Sequence, residues 1–181
     1  MYPYARMFKE ILKFRNAPKL GLFDTHISHH ICWPWDIDPW MELNNGRTLT
    51  LYDLGRIPLG QRMGLHKVLK ARGWGLAVAG NSTRYRKRVK MLHRLEMRTR
   101  IIGWDARFLY IEQSMWRKGE CTSHILIRSA VTGAGERGKA GIVPPAEMAR
   151  AFGLNVQSPV LPEWVTAWIA ADATRPWPPM Q

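Results

Sequence analysis

At 181 residues the chain is long enough to bury a sizeable core as one domain, and its 46% hydrophobic and 23% charged content excludes a disordered polymer. The net charge of +13 favours an anionic partner such as a phosphate-bearing ligand, a nucleic acid or an anionic membrane surface. No RNP-like, zinc-finger or helix-turn-helix signature accompanies that charge, so a nucleic acid is not the expected partner.

Residues 4–15, YARMFKEILKFR, predict a short basic amphipathic helix with Met7, Phe8, Ile11 and Leu12 on one face. It packs on its own domain in the simpler reading, and makes weak contact with a membrane surface in the other. No stretch of about 18 apolar residues follows, and the N-terminus lacks the apolar run of a secretory signal. Only Cys32 and Cys121 are present, which predicts a reducing, cytoplasmic setting.

Residues 25–33 predict the first strand, with His26, Ser28, His30 and Cys32 on one face. Their spacing is not that of a structural zinc site, and no metal or other cofactor is expected. An Asp-rich turn follows, Asp36-Ile37-Asp38-Pro39-Trp40, and then Asn44-Asn45-Gly46. From Asn45 the period becomes helical, with Leu49, Tyr52, Asp53 and Arg56 recurring. Pro58 kinks or ends this helix, or opens a second one over residues 58–63, and residues 65–72 form a further helical piece.

After Gly73 the pattern is β-like: residues 74–88, 92–104, 108–117 and 121–132 read as strands, joined at their C-terminal end by short turns that imply a meander. Arg84, Arg86 and Arg88 fall on one face of the first of these. The Gly-rich stretch 133–141 reads as a mobile loop, and does not open a helix as a dinucleotide fingerprint would. Residues 144–152 predict a helix and 163–171 another, within a Pro/Trp-rich tail that ends the chain. The class is α+β: an antiparallel sheet with one face to be covered by the central helix. One domain spans 1–181, with a core at about 25–132, an N-terminal helix at 4–15 and a C-terminal extension at 144–181.

A carboxylate just ahead of a helix N-terminus is a chemically useful pairing. The first helical N–H groups are unsatisfied and carry partial positive charge, so base or nucleophile and oxyanion site come from one segment. Asp also favours turns and caps, which is the structural alternative for both Asp36 and Asp38.

The stretch 35–56, WDIDPWMELNNGRTLTLYDLGR, resembles the entry to the central helix of hotdog-fold acyl-CoA thioesterases of the 4-hydroxybenzoyl-CoA type. Met41–Arg47, Ser82–Arg86, Gly103–Asp105 and Tyr110–Gln113 are similar to motifs of the thioesterase superfamily member 6-like branch. The resemblance implies a hotdog fold, acyl-CoA hydrolysis, and a homodimer or homotetramer with the acyl channel between protomers. It implies Asp38 as the catalytic carboxylate, the amides at Asn45 and Gly46 as the oxyanion site, and Asp53 as an acidic helix residue near the substrate. An Asp53–Arg56 ion pair is the alternative for that residue. Arg84 and Arg86 are suited to the phosphates of coenzyme A. The resemblance departs at Trp40, Met41 and Glu42, where the family is often smaller: Trp40 narrows the acyl pocket and Glu42 supplies a second carboxylate, or is solvated. Such a substitution also fits a non-catalytic acyl-CoA or lipid binder, and the net charge fits a basic adaptor.

Overall fold

The computed structural model describes residues 2–134 and 140–179. Helix α1 (Tyr4–Lys13) leads into strand β1 (His26–Ile31), and helices α2 (Asn45–Met63) and α3 (Leu65–Arg72) follow. Then come β2 (Gly75–Tyr85), β3 (Arg94–Trp104), β4 (Leu109–Arg117), β5 (Glu120–Ala134) and β6 (Ala140–Val143), and finally α4 (Pro145–Ala151) and α5 (Glu163–Ala173). The strands form one antiparallel sheet in the order β1-β3-β4-β5-β2, and β6 pairs with the end of β5. The two ends of the stretch expected as a mobile loop are strand: β5 runs to Ala134 and β6 starts at Ala140, while 135–139 lie outside the described residues.

The sheet wraps α2. Leu95, Met97, Thr99 and Ile101 of β3, Ile111, Gln113 and Met115 of β4, and Ile125 and Ile127 of β5 alternate along their strands and are buried. On α2 the buried residues are Thr48, Leu51, Tyr52, Leu54, Gly55, Pro58 and Leu59; of the recurring set Leu49, Tyr52, Asp53 and Arg56, Tyr52 alone is fully buried. Gly55 allows the approach: a Cβ there would lie 2.5 Å from Thr99 Oγ1 and 2.6 Å from Met97 Sδ. Buried Gln113 holds the helix backbone, donating from Nε2 to the Tyr52 carbonyl at 2.8 Å and to Thr99 Oγ1 at 2.9 Å, while Arg56 donates to its Oε1 at 3.0 Å.

Pro58 neither ends nor divides the helix, contrary to expectation. It is buried in an unbroken α2, where packing against the sheet offsets a defect that costs about 3 kcal/mol in an isolated helix. The helix expected at 163–171 forms as α5 and packs on the sheet. Val165, Leu161, Trp168 and Ile169 cover Tyr110 and Leu126 on the outer face of the sheet, forming a second small core. Arg128 of β5 fixes α5 through Asp172 at 2.6 Å and lies over the rings of Phe108 and Trp168.

Helix α1 divides its apolar residues. Met7 is buried in the core and Ile11 packs against it, whereas Tyr4, Phe8 and Leu12 are exposed. His26, Ser28, His30 and Cys32 face inward together and are buried; Ser28 Oγ and His30 Nε2 share a hydrogen bond of 2.8 Å. Among the described residues no three or more His, Cys, Asp or Glu groups are arranged to hold a metal ion, and no helix is long and apolar enough to cross a membrane.

Candidate active site

The two aspartates of the turn have different surroundings. Asp36 closes a one-turn 3-10 helix (Pro34–Asp36) and is fully buried. Its Oδ2 accepts from Arg6 Nη1 at 2.7 Å and the Trp33 amide at 3.0 Å; its Oδ1 accepts from Arg47 Nη2 at 2.7 Å and Nε at 3.1 Å. Its carbonyl accepts from the Asn44 amide at 2.9 Å. A buried carboxylate needs such partners. Asp36 is structural: it ties α1, the turn and the first turn of α2 together.

Asp38 sits in a small closed loop. Ile37 bridges to Leu43, the Asp38 amide donates to the Glu42 carbonyl at 2.9 Å, and the Met41 amide donates to the Asp38 carbonyl at 3.0 Å. Met41 closes the bend at φ 59°, a left-handed conformation that is costly for a residue with a Cβ. Asp38 Oδ1 accepts from the Trp40 amide at 2.9 Å, an Asx-type turn, and Oδ2 has no hydrogen-bond partner among the described residues.

Helix α2 starts beside it. Asn44 is the N-cap, its Oδ1 accepting from the Arg47 amide at 3.1 Å. The Gly46 amide is taken by Asn45 Oδ1 at 2.6 Å. The Asn45 amide has no partner among the described residues, so it is the donor of the first turn that remains available to a ligand.

Asp38 and Asn45 line one cavity of about 530 Å³, with Trp40, Glu42, Asn44, Thr48, Tyr85, Arg86, Lys87, Arg88, Thr122 and Ser123 among its walls. Of the residues singled out in the sequence, Asp38, Trp40, Glu42, Asn45 and Arg86 line this cavity, whereas Gly46, its amide taken by Asn45 Oδ1, is not among its walls. Burial pushes the Tyr85 phenol above its ordinary range. The wall is polar where Tyr52 and Ser123 meet, with Oη and Oγ 2.8 Å apart.

Several expectations are not met in that form. Strand β2 stops at Tyr85, so Arg86 and Arg88 lie in the connection that follows it; Arg84 remains on the strand and is not among the cavity walls. Glu42 is not a spare carboxylate: its Oε2 pairs with Arg88 Nε at 3.1 Å. Trp35 and Trp40 are 65% and 76% exposed, and Trp35 stacks on Trp33. Asp53 is ion-paired with Arg56 and lines a different, mostly apolar cavity of about 600 Å³ with Ile57, Leu76 and Val78. Tyr85 lies within Ser82–Arg86, but nothing in the pattern marks it, Thr48 or Ser123 as cavity walls; a fold is needed to juxtapose positions 48, 85 and 123.

Comparison with known proteins adds a second line. Residues 32–169 match the family model described as thioesterase-like superfamily. The chain is 30% identical over 162 residues to protein THEM6 of Xenopus laevis, covering 88% of this chain and 74% of that one. It is 29% identical over 96 residues to protein THEM6 of Drosophila melanogaster, of which it spans 50%. The structure is similar to that of SAV2348 from Staphylococcus aureus in complex with CoA, at TM-score 0.59 and 12% identity, covering 81% of this chain and 95% of that one. It is likewise similar to Slr0204 of Synechocystis, a 1,4-dihydroxy-2-naphthoyl-CoA thioesterase, at TM-score 0.57 and 10% identity, covering 72% and 96%. At these identities the structural likeness is one of fold: the antiparallel sheet around a central helix.

Proposed function

The chain belongs to the thioesterase-like superfamily, and from that premise we propose that it hydrolyses acyl-CoA thioesters at the cavity shared by Asp38 and Asn45. The observation that carries the reading is the pairing of two available groups on one wall: the Asp38 Oδ2 oxygen and the Asn45 N–H at the start of α2. The amide, backed by the helix dipole, receives the thioester carbonyl oxygen as it gains negative charge. Asp38 either takes a proton from the attacking water or attacks the carbonyl itself to give an anhydride, which water then opens. In both routes the C–S bond breaks, the acyl group leaves as a carboxylic acid and CoA as its thiol.

Arg86, Lys87 and Arg88 stand at the rim, where they suit the pyrophosphate and 3′-phosphate of CoA. Arg84, exposed on β2, extends that basic line beyond the cavity.

The acyl chain needs an apolar site, and the 530 Å³ cavity is lined mainly by charged and polar residues. The apolar cavity holding Asp53 lies beside Leu76 and Val78 of β2, an edge strand of the sheet. Strand β2 is long, and Leu76 and Val78 are exposed on it. An open apolar edge of this kind favours pairing with another strand. We infer a homodimer joined at β2, which would set the apolar cavity and Asp53 of one protomer toward the Asp38 cavity of its partner.

The test is a panel of acyl-CoAs with purified protein and its Asp38→Asn variant, following thiol release. Hydrolysis that is lost in the variant supports the reading. Binding of acyl-CoA without thiol release, equal in both proteins, overturns it in favour of a non-catalytic binder. Under single turnover in oxygen-18 water, label recovered in Asp38 identifies the anhydride route.

A further inference from the structure

The loop carrying Asp38 and the connection after β2 end in a common tip. Trp40, Met41, Met91 and Leu92 are 76%, 63%, 42% and 58% exposed, although each is large and apolar. Trp40, Met41 and Met91 surround a hollow of about 330 Å³ with Glu42, Arg88 and Lys90. Leu92, like Met41, is left-handed, at φ 61°. The backbone therefore accepts an unfavourable conformation at both bends that present these side chains to solvent.

The tip is basic. Arg86, Lys87 and Arg88 line the adjoining cavity, and Lys90 lines the hollow. Arg117 and Lys118 stand beside it at the β4–β5 turn, where Arg117 is in register with Glu120 and Glu120 reaches Lys87 at 2.7 Å. Two carboxylates answer them: Glu42 pairs with Arg88 at 3.1 Å and Glu120 with Lys87 at 2.7 Å. Arg86, Lys90, Arg117 and Lys118 have no ion-pair partner among the described residues.

We propose that this tip docks on an anionic lipid bilayer, with Trp40, Met41, Met91 and Leu92 entering the headgroup layer and Lys90, Arg117 and Lys118 against the lipid phosphates. The chemistry matches on both counts. A Trp beside flexible apolar side chains suits the interface between water and hydrocarbon. A cluster of unpaired Lys and Arg suits the negative surface potential of phosphatidylserine-like lipids. RNA is the poorer fit, because Trp40 is the one aromatic ring among the four apolar residues, and Met and Leu offer bases no stacking face. The hollow and the Asp38 cavity share Trp40, Glu42 and Arg88, so docking turns the mouth of that cavity toward the bilayer. Amphipathic ligands dissolved in the membrane would then reach it without crossing bulk water. The docking itself does not depend on hydrolysis.

The experiment is co-sedimentation with vesicles of phosphatidylcholine alone and of phosphatidylcholine with one-third phosphatidylserine. We compare the intact chain with M41S/M91S, K90Q/K118Q and, on the exposed face of α1, F8S/L12S, each checked by circular dichroism. The intact chain should bind the phosphatidylserine vesicles and not the neutral ones. K90Q/K118Q should weaken binding by about fivefold for each charge removed. M41S/M91S should also weaken it, and F8S/L12S should leave it unchanged. The proposal is overturned by absence of vesicle binding, by binding that M41S/M91S leaves intact, by loss confined to F8S/L12S, or by polyuridylate taking up the same cations while vesicles are ignored.

Discussion

Asp36 and Asp38 lie two residues apart, yet Asp36 is sealed between Arg6 and Arg47 while Asp38 turns an unpartnered oxygen into a cavity. The same side chain thus serves stability at one position and is available for chemistry at the other.

The two aspartates should separate cleanly on mutation. Asp36→Asn removes the buried negative charge that Arg6 and Arg47 both bond, and we expect a loss of about 3 kcal/mol in a urea denaturation curve. Asp38→Asn should leave that curve nearly unchanged and lower kcat by about a hundredfold or more. An Asp38→Asn protein as unstable as Asp36→Asn would remove the distinction.

The role of the Asn45 amide is testable without touching a side chain that matters to folding. Position 45 is the first residue of α2, where proline is tolerated, and Asn44 before it already has the extended backbone that proline demands, at φ −59° and ψ 138°. Asn45→Pro deletes the N–H and should lower kcat by about a hundredfold with little change in Tm. Asn45→Ala keeps that N–H and frees the Gly46 amide from Asn45 Oδ1, so its kcat should hold or rise. Loss of activity in Asn45→Ala alone would show that the side chain, and not the backbone, is the donor.

Gly55→Ala should destabilise the protein. Alanine favours a helix by about 1 kcal/mol over glycine, but here its Cβ would press on Thr99 and Met97. We expect the overpacking to win, with a net loss of about 1–3 kcal/mol by thermal or urea unfolding. A gain in Tm would show that helix propensity outweighs the overpacking.

Acid should weaken the fold through its buried histidines. Desolvation, reinforced by nearby cations, pushes His26 down to about 4 and His30 down to about 3. Folded, both stay neutral; unfolded, both take up a proton below about pH 6.5. The unfolded chain therefore binds more protons throughout that window, and stability falls as pH drops from about 6.5 toward 4. Each unit of depression is worth about 1.4 kcal/mol at the low end. Tm measured against pH should show this acid limb, and His26→Gln should flatten it; an unchanged slope would exclude His26 as a source.

Much of the frame was legible because local signals agree. The β3–β4–β5 meander follows from short polar turns between alternating runs, and Asn44-Asn45-Gly46 marks the start of α2 within a residue. What escaped depends on distant partners. Pro58 reads as a helix breaker until the sheet that packs on it is present. Asp36 is equivalent to Asp38 on the page, and only Arg6, thirty residues away, and Arg47 distinguish them. The basic run 84–88 reads as one strand face, but the strand ends at Tyr85, where the Arg86 and Lys87 amides both turn to the Thr122 carbonyl.

The packing of α5 carries a consequence for assembly. Tyr110 and Leu126 would otherwise present an apolar back to the sheet, the surface on which two such sheets stack. The chain spends its own C-terminal helix to close that surface, and Trp104 is pinned nearby by Ser158 at 2.8 Å. Where α5 lies, the back of the sheet offers a second sheet no bare apolar patch to stack on, and the chain has filled that place with itself.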